Sequence, residues 1–192
     1  ASFLLLFFSA YMLNDLAVKL LPIAVFFLVI YSYTKRFTWA CHFVLGIAIG
    51  LARLGGWVGA TATLPWEAFI LFLAVCFWTA GFDIIYATQD VEFDREHKVY
   101  SVPSYFGIRN ALLISRGCHL LTVIFLFWLY FITPLSWVYV LGALIAAGIL
   151  VYEHSLVKPD DLSKVDVAFF TMNGILSVLV FLFTLGDLVI RL

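Results

Sequence analysis

The chain has 192 residues, of which 65% are apolar and only 12% are charged; its formal net charge is −1 and its mean hydropathy is +1.09. Soluble domains carry roughly 25% charged residues, so the composition excludes an ordinary soluble enzyme and predicts an integral membrane protein. The three cysteines lie far apart in apolar surroundings, without the spacing of a zinc site or a disulfide framework, and we expect them to be buried thiols.

Seven apolar runs follow one another and predict an all-α fold, a polytopic transmembrane helix bundle forming a single domain over residues 1–192. The first run, 1–13, is shorter than the about 20 residues that a helix needs to cross a bilayer. Because this run also opens without an initiator Met, we expect an N-terminal portion to precede it. The other runs are 17–33, 40–60, a segment from Pro65 to the acids near 94, and 107–132, 135–152 and 165–189.

The basic residues lie mostly on one side of the predicted membrane. If the runs cross in alternation, the loops near 35, near 95–109 and near 158 share a side. That side holds most of the Lys and Arg residues, namely Lys35, Arg36, Arg95, Lys98, Arg109, Arg116, Lys158 and Lys164. Cytoplasmic loops are enriched in Lys and Arg, so we expect a multi-pass protein of the cell (inner) membrane with this side in the cytoplasm. Positive-inside targeting alone would also explain these basic loops.

The acidic end of the fourth run carries the strongest candidate for chemistry. If the angular position of Asp83 around the axis of an α-helix is taken as zero, Tyr86 lies at about −60°, Asp90 at about −20° and Asp94 at about +20°. These four side chains would form one polar stripe, whereas the two nearby glutamates face away. Carboxylates one turn apart can share Mg²⁺, which usually binds one or two carboxylates together with substrate phosphates. A metal–diphosphate site and a solvated helix end both fit this spacing.

Two motifs on the same predicted side extend the interpretation. Residues 86–107 read YATQDVEFDREHKVYSVPSYFG, which has the form YxxxDxxxD followed by a loop ending in S-x-P and FG. Residues 31–39 read YSYTKRFTW, with the form Tyr-x-x-x-Lys-Arg. Together they resemble the second aspartate-rich motif and the other cytoplasmic loop signature of the UbiA family of intramembrane prenyltransferases. The resemblance is closest to its 4-hydroxybenzoate polyprenyltransferase branch, including menaquinone-pathway relatives.

This resemblance implies a nine-helix bundle with a lipid-open cavity. It also implies Mg²⁺-dependent transfer of a polyprenyl group from polyprenyl diphosphate to an aromatic acceptor, 4-hydroxybenzoate-like or a naphthoate, in quinone biosynthesis. The partners would be these two substrates and the lipid bilayer, with no nucleic acid. The catalytic residues carried over by position are Asp90 and Asp94 as metal ligands, with Lys35 and Arg36. The residues expected to face the substrates are Tyr31, Lys35, Arg36, Arg53, Tyr86 and Lys98.

The chain departs from the family pattern at the first aspartate-rich motif, NDxxDxxxD. Asn14 and Asp15 begin like this motif, but Val18 stands at the next acidic position, so we do not assign it there. We expect the motif before Ala1, and we expect the chain as given to hold half of the metal site and to be inactive alone.

Arg53 and Lys98 are further departures, since relatives tend to carry Pro near the first and Gly at the second. A cation within a membrane-spanning run is costly and marks a functional candidate. Arg53 would therefore meet a substrate carboxylate or pair with an acid such as Asp83.

Three other functions are compatible with a membrane bundle. A related prenyltransferase could use a different lipophilic acceptor. A transporter subunit or scaffold would favour paired repeats and broken helices near the midplane, whereas here the acids gather at one interface. A CDP-alcohol phosphotransferase would need its DG-x2-AR opening, which this sequence lacks.

Overall fold

The computed structural model describes residues 2–190, and this part of the chain is almost entirely helical. Its α-helices in chain order are α1 (Ser2–Leu13), α2 (Asp15–Thr34), α3 (Cys41–Thr61), α4 (Trp66–Tyr86), α5 (Val91–Glu96), α6 (Val102–Phe106), α7 (Ile108–Ile132), α8 (Trp137–Leu156) and α9 (Asn173–Ile190). A 3₁₀ turn, Ala87–Asp90, separates α4 from α5, and a π-helical turn, Val167–Met172, precedes α9.

Within residues 2–190, six helical segments are long and apolar enough to cross a membrane. They are Asp15–Thr34, Cys41–Thr61, Trp66–Glu96, Ile108–Ile132, Trp137–Leu156 and Val167–Ile190. Helix α1 has 12 residues, which span only about 18 Å at 1.5 Å per residue. The predicted all-α transmembrane bundle is therefore confirmed, and the helices begin and end within a few residues of the predicted runs.

Small residues let α4 lie close to α3 and α7 at the centre of the bundle. Ala74 and Ala80 of α4 are buried among side chains of the neighbouring helices. Gly46 of α3 lies directly against the backbone of Cys76, and a Cβ atom at Gly46 would overlap the Cys76 carbonyl oxygen. Close approach of this kind is how helices gain packing contacts in a membrane, where lipid tails are as apolar as the side chains.

We expect Gly46→Ala to lower the free energy of unfolding by roughly 1–3 kcal/mol, because the added methyl group must push α3 away from α4. Gly55→Ala on the same helix is the matched control, since a Cβ atom there meets nothing within 4 Å. The control should be neutral or stabilising by up to about 1 kcal/mol, the difference in helix propensity. Denaturation of both variants in detergent micelles measures the effect, and a Gly46→Ala protein as stable as wild type would contradict the close packing.

A buried carboxylate joins the last two helices at one end of the bundle. Asp187 of α9 accepts hydrogen bonds from the Ser136 backbone N–H at 2.9 Å, the Ser136 hydroxyl at 2.6 Å and the Tyr139 N–H at 2.9 Å. These N–H groups lie at the start of α8, where backbone donors lack partners within the helix. Asp187 therefore caps α8 from the neighbouring helix.

Three loops meet at the opposite end. The Tyr100 N–H donates to the Lys35 carbonyl oxygen at 2.6 Å, which joins the loop after α2 to the loop after α5. The Gln89 side chain donates a hydrogen bond to Asp166 at 3.5 Å, which joins the segment between α8 and α9 to the same end of the bundle. The loops near 35, 95–109 and 158 therefore share one end of the bundle, as the alternation of apolar runs predicted.

Candidate active site

The acidic stretch is not one continuous α-helix, and the predicted single polar stripe is wrong in this respect. The 3₁₀ turn Ala87–Asp90 interrupts it. A 3₁₀ turn advances about 120° per residue rather than about 100°, so its four residues rotate the following side chains by roughly 80°. Asp83, which precedes this turn, contacts α3, whereas Asp90 and Asp94 meet the end of α2.

Asp90 and Asp94 converge on a single ammonium group. Lys35 Nζ lies 3.1 Å from Asp94 Oδ1 and 3.6 Å from Asp90 Oδ2. The Asp94 side chain is 1% exposed, whereas that of Asp90 is 49% exposed. The two carboxylates that the sequence selected are thus close together, one buried in the bundle and one open to its surroundings.

The second oxygen of Asp94 is a candidate metal ligand. Asp94 Oδ2 is buried and receives no hydrogen bond from the described residues. A buried charged oxygen without a donor is costly, and a bound cation would remove that cost. Mg²⁺ suits the position, because it prefers carboxylate oxygens and completes its shell with water and phosphate. Residues 2–190 contain no cluster of three or more His, Cys, Asp or Glu side chains that could hold a metal, so this pair would form part of a metal site.

The loop after α5 holds the backbone of Lys35 and of Asp94 in place. Its Val99 N–H donates to the Asp94 carbonyl oxygen at 2.9 Å, and its Tyr100 N–H bonds the Lys35 carbonyl oxygen. Partial burial of Lys35 lowers its pKa. The hydrogen bond to Asp94 and the charges of Asp94 and Asp90 outweigh that effect, so the pKa of Lys35 is raised above its usual 10.5. Lys35 therefore carries a full positive charge at neutral pH.

The S-x-P and FG sequences shape the connection to α7. The Ser101 hydroxyl accepts from the Ser104 N–H at 3.2 Å, the Ser104 hydroxyl accepts from the Ser101 N–H at 2.9 Å, and Pro103 lies in the first turn of α6. This capping box starts α6. Gly107 then adopts φ +79° between α6 and α7, a conformation that glycine adopts at little cost. The motif residues thus position the loop rather than contact the carboxylates.

A histidine that the sequence interpretation passed over lies beside the site. His42 of α3 is 1% exposed, and its Nδ1 lies 2.6 Å from Asp83 Oδ2. Its Nε2 accepts from the Val102 N–H at 3.2 Å, so the proton is on Nδ1 and is donated to Asp83. The suggested pairing of Arg53 with Asp83 is therefore wrong. The only signal in the sequence was a histidine inside an apolar run.

The other expected substrate residues are spread around this end of the bundle. Tyr31 lies one turn before Lys35 on α2 and is 39% exposed. Tyr86 lies one turn before Asp90, and its ring packs against Phe169 with centroids 4.3 Å apart. Both tyrosines thus precede the charged groups by four residues along the chain, and their contacts with the substrates remain predictions.

Three expected basic residues do not join the cluster. The Arg36 guanidinium lies 5.7 Å from the centroid of the Tyr33 ring. Lys98 is exposed, in a left-handed conformation with φ +53°. Arg53 is exposed on α3, about 16 Å along the helix from His42 at 1.5 Å per residue, and makes no ion pair with a described residue. Their substrate contacts remain predictions.

The fold and the site define a multi-pass membrane protein with paired carboxylates and a lysine at the end of an apolar helix bundle. Residues 1–175 match the model of the UbiA prenyltransferase family, and the chain belongs to this family. The match confirms the resemblance drawn from the two sequence motifs.

Individual relatives agree with this assignment. The chain is 32% identical over 170 residues to a 4-hydroxybenzoate octaprenyltransferase from Methylobacillus flagellatus, covering 88% of this chain and 57% of the relative. The solved structure of a UbiA homolog from Aeropyrum pernix K1 superposes with a TM-score of 0.83 at 26% identity, covering 95% of this chain and 68% of that one. A digeranylgeranylglyceryl phosphate synthase structure shares the fold, with a TM-score of 0.77 at 21% identity over 93% of this chain and 63% of that one. The chain thus spans a little over half the length of the curated relative.

Proposed function

We propose that this protein catalyses Mg²⁺-dependent transfer of a polyprenyl group from polyprenyl diphosphate to an aromatic acceptor such as 4-hydroxybenzoate. The observation that carries this proposal is the cluster of Asp90, Asp94 and Lys35, with the unpartnered oxygen of Asp94 inside it. Membership of the prenyltransferase family and the name of the Methylobacillus relative support the donor and the acceptor class.

The charged residues would bind the leaving group. Asp90 and Asp94 would hold Mg²⁺, which would neutralise charge on the diphosphate oxygens. Lys35 stays protonated beside Asp94 and stabilises the negative charge that develops as the allylic C–O bond breaks. Tyr31 and Tyr86, one turn deeper, would donate hydroxyl hydrogen bonds to the same group.

The apolar part of the bundle would protect the prenyl cation. The cation would need an apolar chamber that excludes water, and aromatic faces favour a positive charge. A ring carbon of the acceptor then forms the new C–C bond and the ring loses a proton. Arg36 is the proposed partner of the acceptor carboxylate. We place this chemistry at the cytoplasmic face of the inner membrane, in quinone biosynthesis, because the basic loops gather at the same end of the bundle.

Transfer of label tests the proposal. Membranes carrying the protein at its full natural length would be incubated with radiolabelled polyprenyl diphosphate and 4-hydroxybenzoate, a dihydroxynaphthoate or no acceptor, with Mg²⁺ or with EDTA. We expect prenylated 4-hydroxybenzoate with Mg²⁺ and no product with EDTA. Product formation in EDTA would contradict the proposed metal site. If only the naphthoate or a different lipophilic acceptor were labelled, the proposal of 4-hydroxybenzoate as the acceptor would be wrong. Absence of transfer to any acceptor would favour a non-catalytic bundle.

A further inference from the structure

A second candidate site lies in a groove between α7 and α8, away from the carboxylate cluster. The groove encloses about 490 Å³, within the size range of small-molecule sites. Its floor is apolar and includes Val123 and Ala147, and its rim includes Leu120 and Val151. These rim residues are 61% and 73% exposed, so the groove opens sideways, toward the bilayer in a membrane-spanning bundle.

One end of this groove carries a cation. Arg116 of α7 lines it and forms no ion pair with any residue of the described part of the chain. Arg116 lies about 24 Å along α7 from Ile132, at 1.5 Å per residue. A hydrocarbon core is about 30 Å thick, so Arg116 lies near the edge of that core, at the end where the basic loops meet. A cation at this depth is costly unless an anion accompanies it.

A pair of histidines forms the rest of the polar end. His119 is 2% exposed, and its Nε2 lies 3.3 Å from the Trp78 carbonyl oxygen. A carbonyl only accepts, so His119 Nε2 carries the proton and His119 Nδ1 accepts from His154 Nε2, 3.0 Å away. In this neutral arrangement His154 Nδ1 is an acceptor, and it receives no hydrogen bond from the described residues. The polar end therefore offers a cation and a hydrogen-bond acceptor.

We propose that this groove binds one anionic glycerophospholipid with a hydroxylated headgroup. The guanidinium of Arg116 suits a phosphodiester, because its fork of N–H donors can bond two phosphate oxygens at once. A headgroup hydroxyl donates to His154 Nδ1, and an acyl chain follows the apolar floor between α7 and α8. The site is independent of the prenyl-transfer function, since none of its residues belongs to the carboxylate cluster.

Native mass spectrometry of the purified protein in detergent tests the site with phosphatidylglycerol and phosphatidylcholine as probes. We expect phosphatidylglycerol to bind about tenfold more tightly than phosphatidylcholine. Both carry a phosphodiester, but the choline cation of phosphatidylcholine cancels the negative charge that attracts Arg116. Arg116→Gln should remove that preference. Arg109→Gln, an exposed arginine two turns away on α7 and outside the groove, should change it by less than about threefold, the scale of a general electrostatic effect.

A second variant distinguishes the groove from the charge alone. Ala147→Trp fills the apolar floor while leaving Arg116 in place, and it should weaken the binding of both lipids. Ala147→Trp also tests the proposal if Arg116→Gln does not fold. The proposal would be overturned if wild type bound the two lipids equally, or if the Arg109 and Arg116 variants lost the preference equally. It would also be overturned if Ala147→Trp left lipid binding unchanged, which would indicate an adventitious detergent-like association. A dimer that Ala147→Trp abolishes would assign the groove to a second copy of the chain instead.

Discussion

Asp94→Asn is expected to lower the rate of prenyl transfer by about 10²–10³-fold, the scale of removing one group that stabilises charge in the transition state. The substitution keeps the shape of the side chain but removes the negative charge beside Lys35. It also replaces the unpartnered oxygen Oδ2, so Mg²⁺ affinity should fall as well. Initial rates of label transfer over a range of Mg²⁺ concentrations measure both effects.

Glu92→Gln is the matched control for Asp94. Glu92 lies two residues earlier in α5 and is exposed, so removal of its charge should leave the rate within about twofold if only general surface electrostatics change. Equal losses in the two variants would indicate a general effect of acidic charge at this end of the bundle. An Asp94→Asn protein with the wild-type rate at saturating Mg²⁺ would contradict the assignment of Asp94 as a metal ligand.

Lys35→Gln is expected to lower the rate of prenyl transfer by roughly 10²-fold, because the leaving diphosphate loses the cation that stabilises its developing charge. The raised pKa of Lys35 also fixes the direction of its pH dependence. A group whose pKa is higher in the folded state stabilises the fold fully below its ordinary pKa of 10.5, and this contribution is lost as the pH rises through the folded value. The effect of Lys35→Gln on thermal stability should therefore be constant from pH 7 to pH 9.

Lys158→Gln is the corresponding control, since Lys158 is an exposed lysine in a loop at the same end of the bundle. It should leave the rate and the thermal midpoint close to wild type, as expected for an exposed surface charge. If the stability difference between wild type and Lys35→Gln changed between pH 7 and pH 9, the pKa of Lys35 in the folded state would be lowered rather than raised. Its place between Asp90 and Asp94 would then be wrong.

Hydropathy made the architecture predictable. Each spanning helix forms its backbone hydrogen bonds within itself, as a segment surrounded by lipid must, so apolar length alone located the helices to within a few residues. The pairing of the carboxylates was also predictable, because Asp90 and Asp94 are four residues apart, about one helical turn, and Asp90 is the N-cap of the short helix α5 that contains Asp94.

The partners of these acids were decided by tertiary structure. The 3₁₀ turn before α5 rotates Asp90 and Asp94 away from Asp83, and no local pattern in the sequence marked that change of helix type. His42 and Asp83 are 41 residues apart, so only the packing of α3 against α4 brings them together. The alternative pairing of Arg53 with Asp83 was wrong because the packing of these two helices places His42, and not Arg53, against Asp83.

The sequence by itself determined that this is a membrane bundle with Asp90 and Asp94 as a candidate pair, because hydropathy and helical spacing are local properties. Lys35 became a candidate site residue through the resemblance of residues 31–39 to a family motif. Only the tertiary structure decided that Lys35 lies between the two carboxylates and that His42 binds Asp83. It also decided that Asp94 is buried, with one oxygen that receives no hydrogen bond from residues 2–190. Contacts between distant residues depend on how the helices pack, and that packing is set by small residues such as Gly46 and by the loops that join the helix ends.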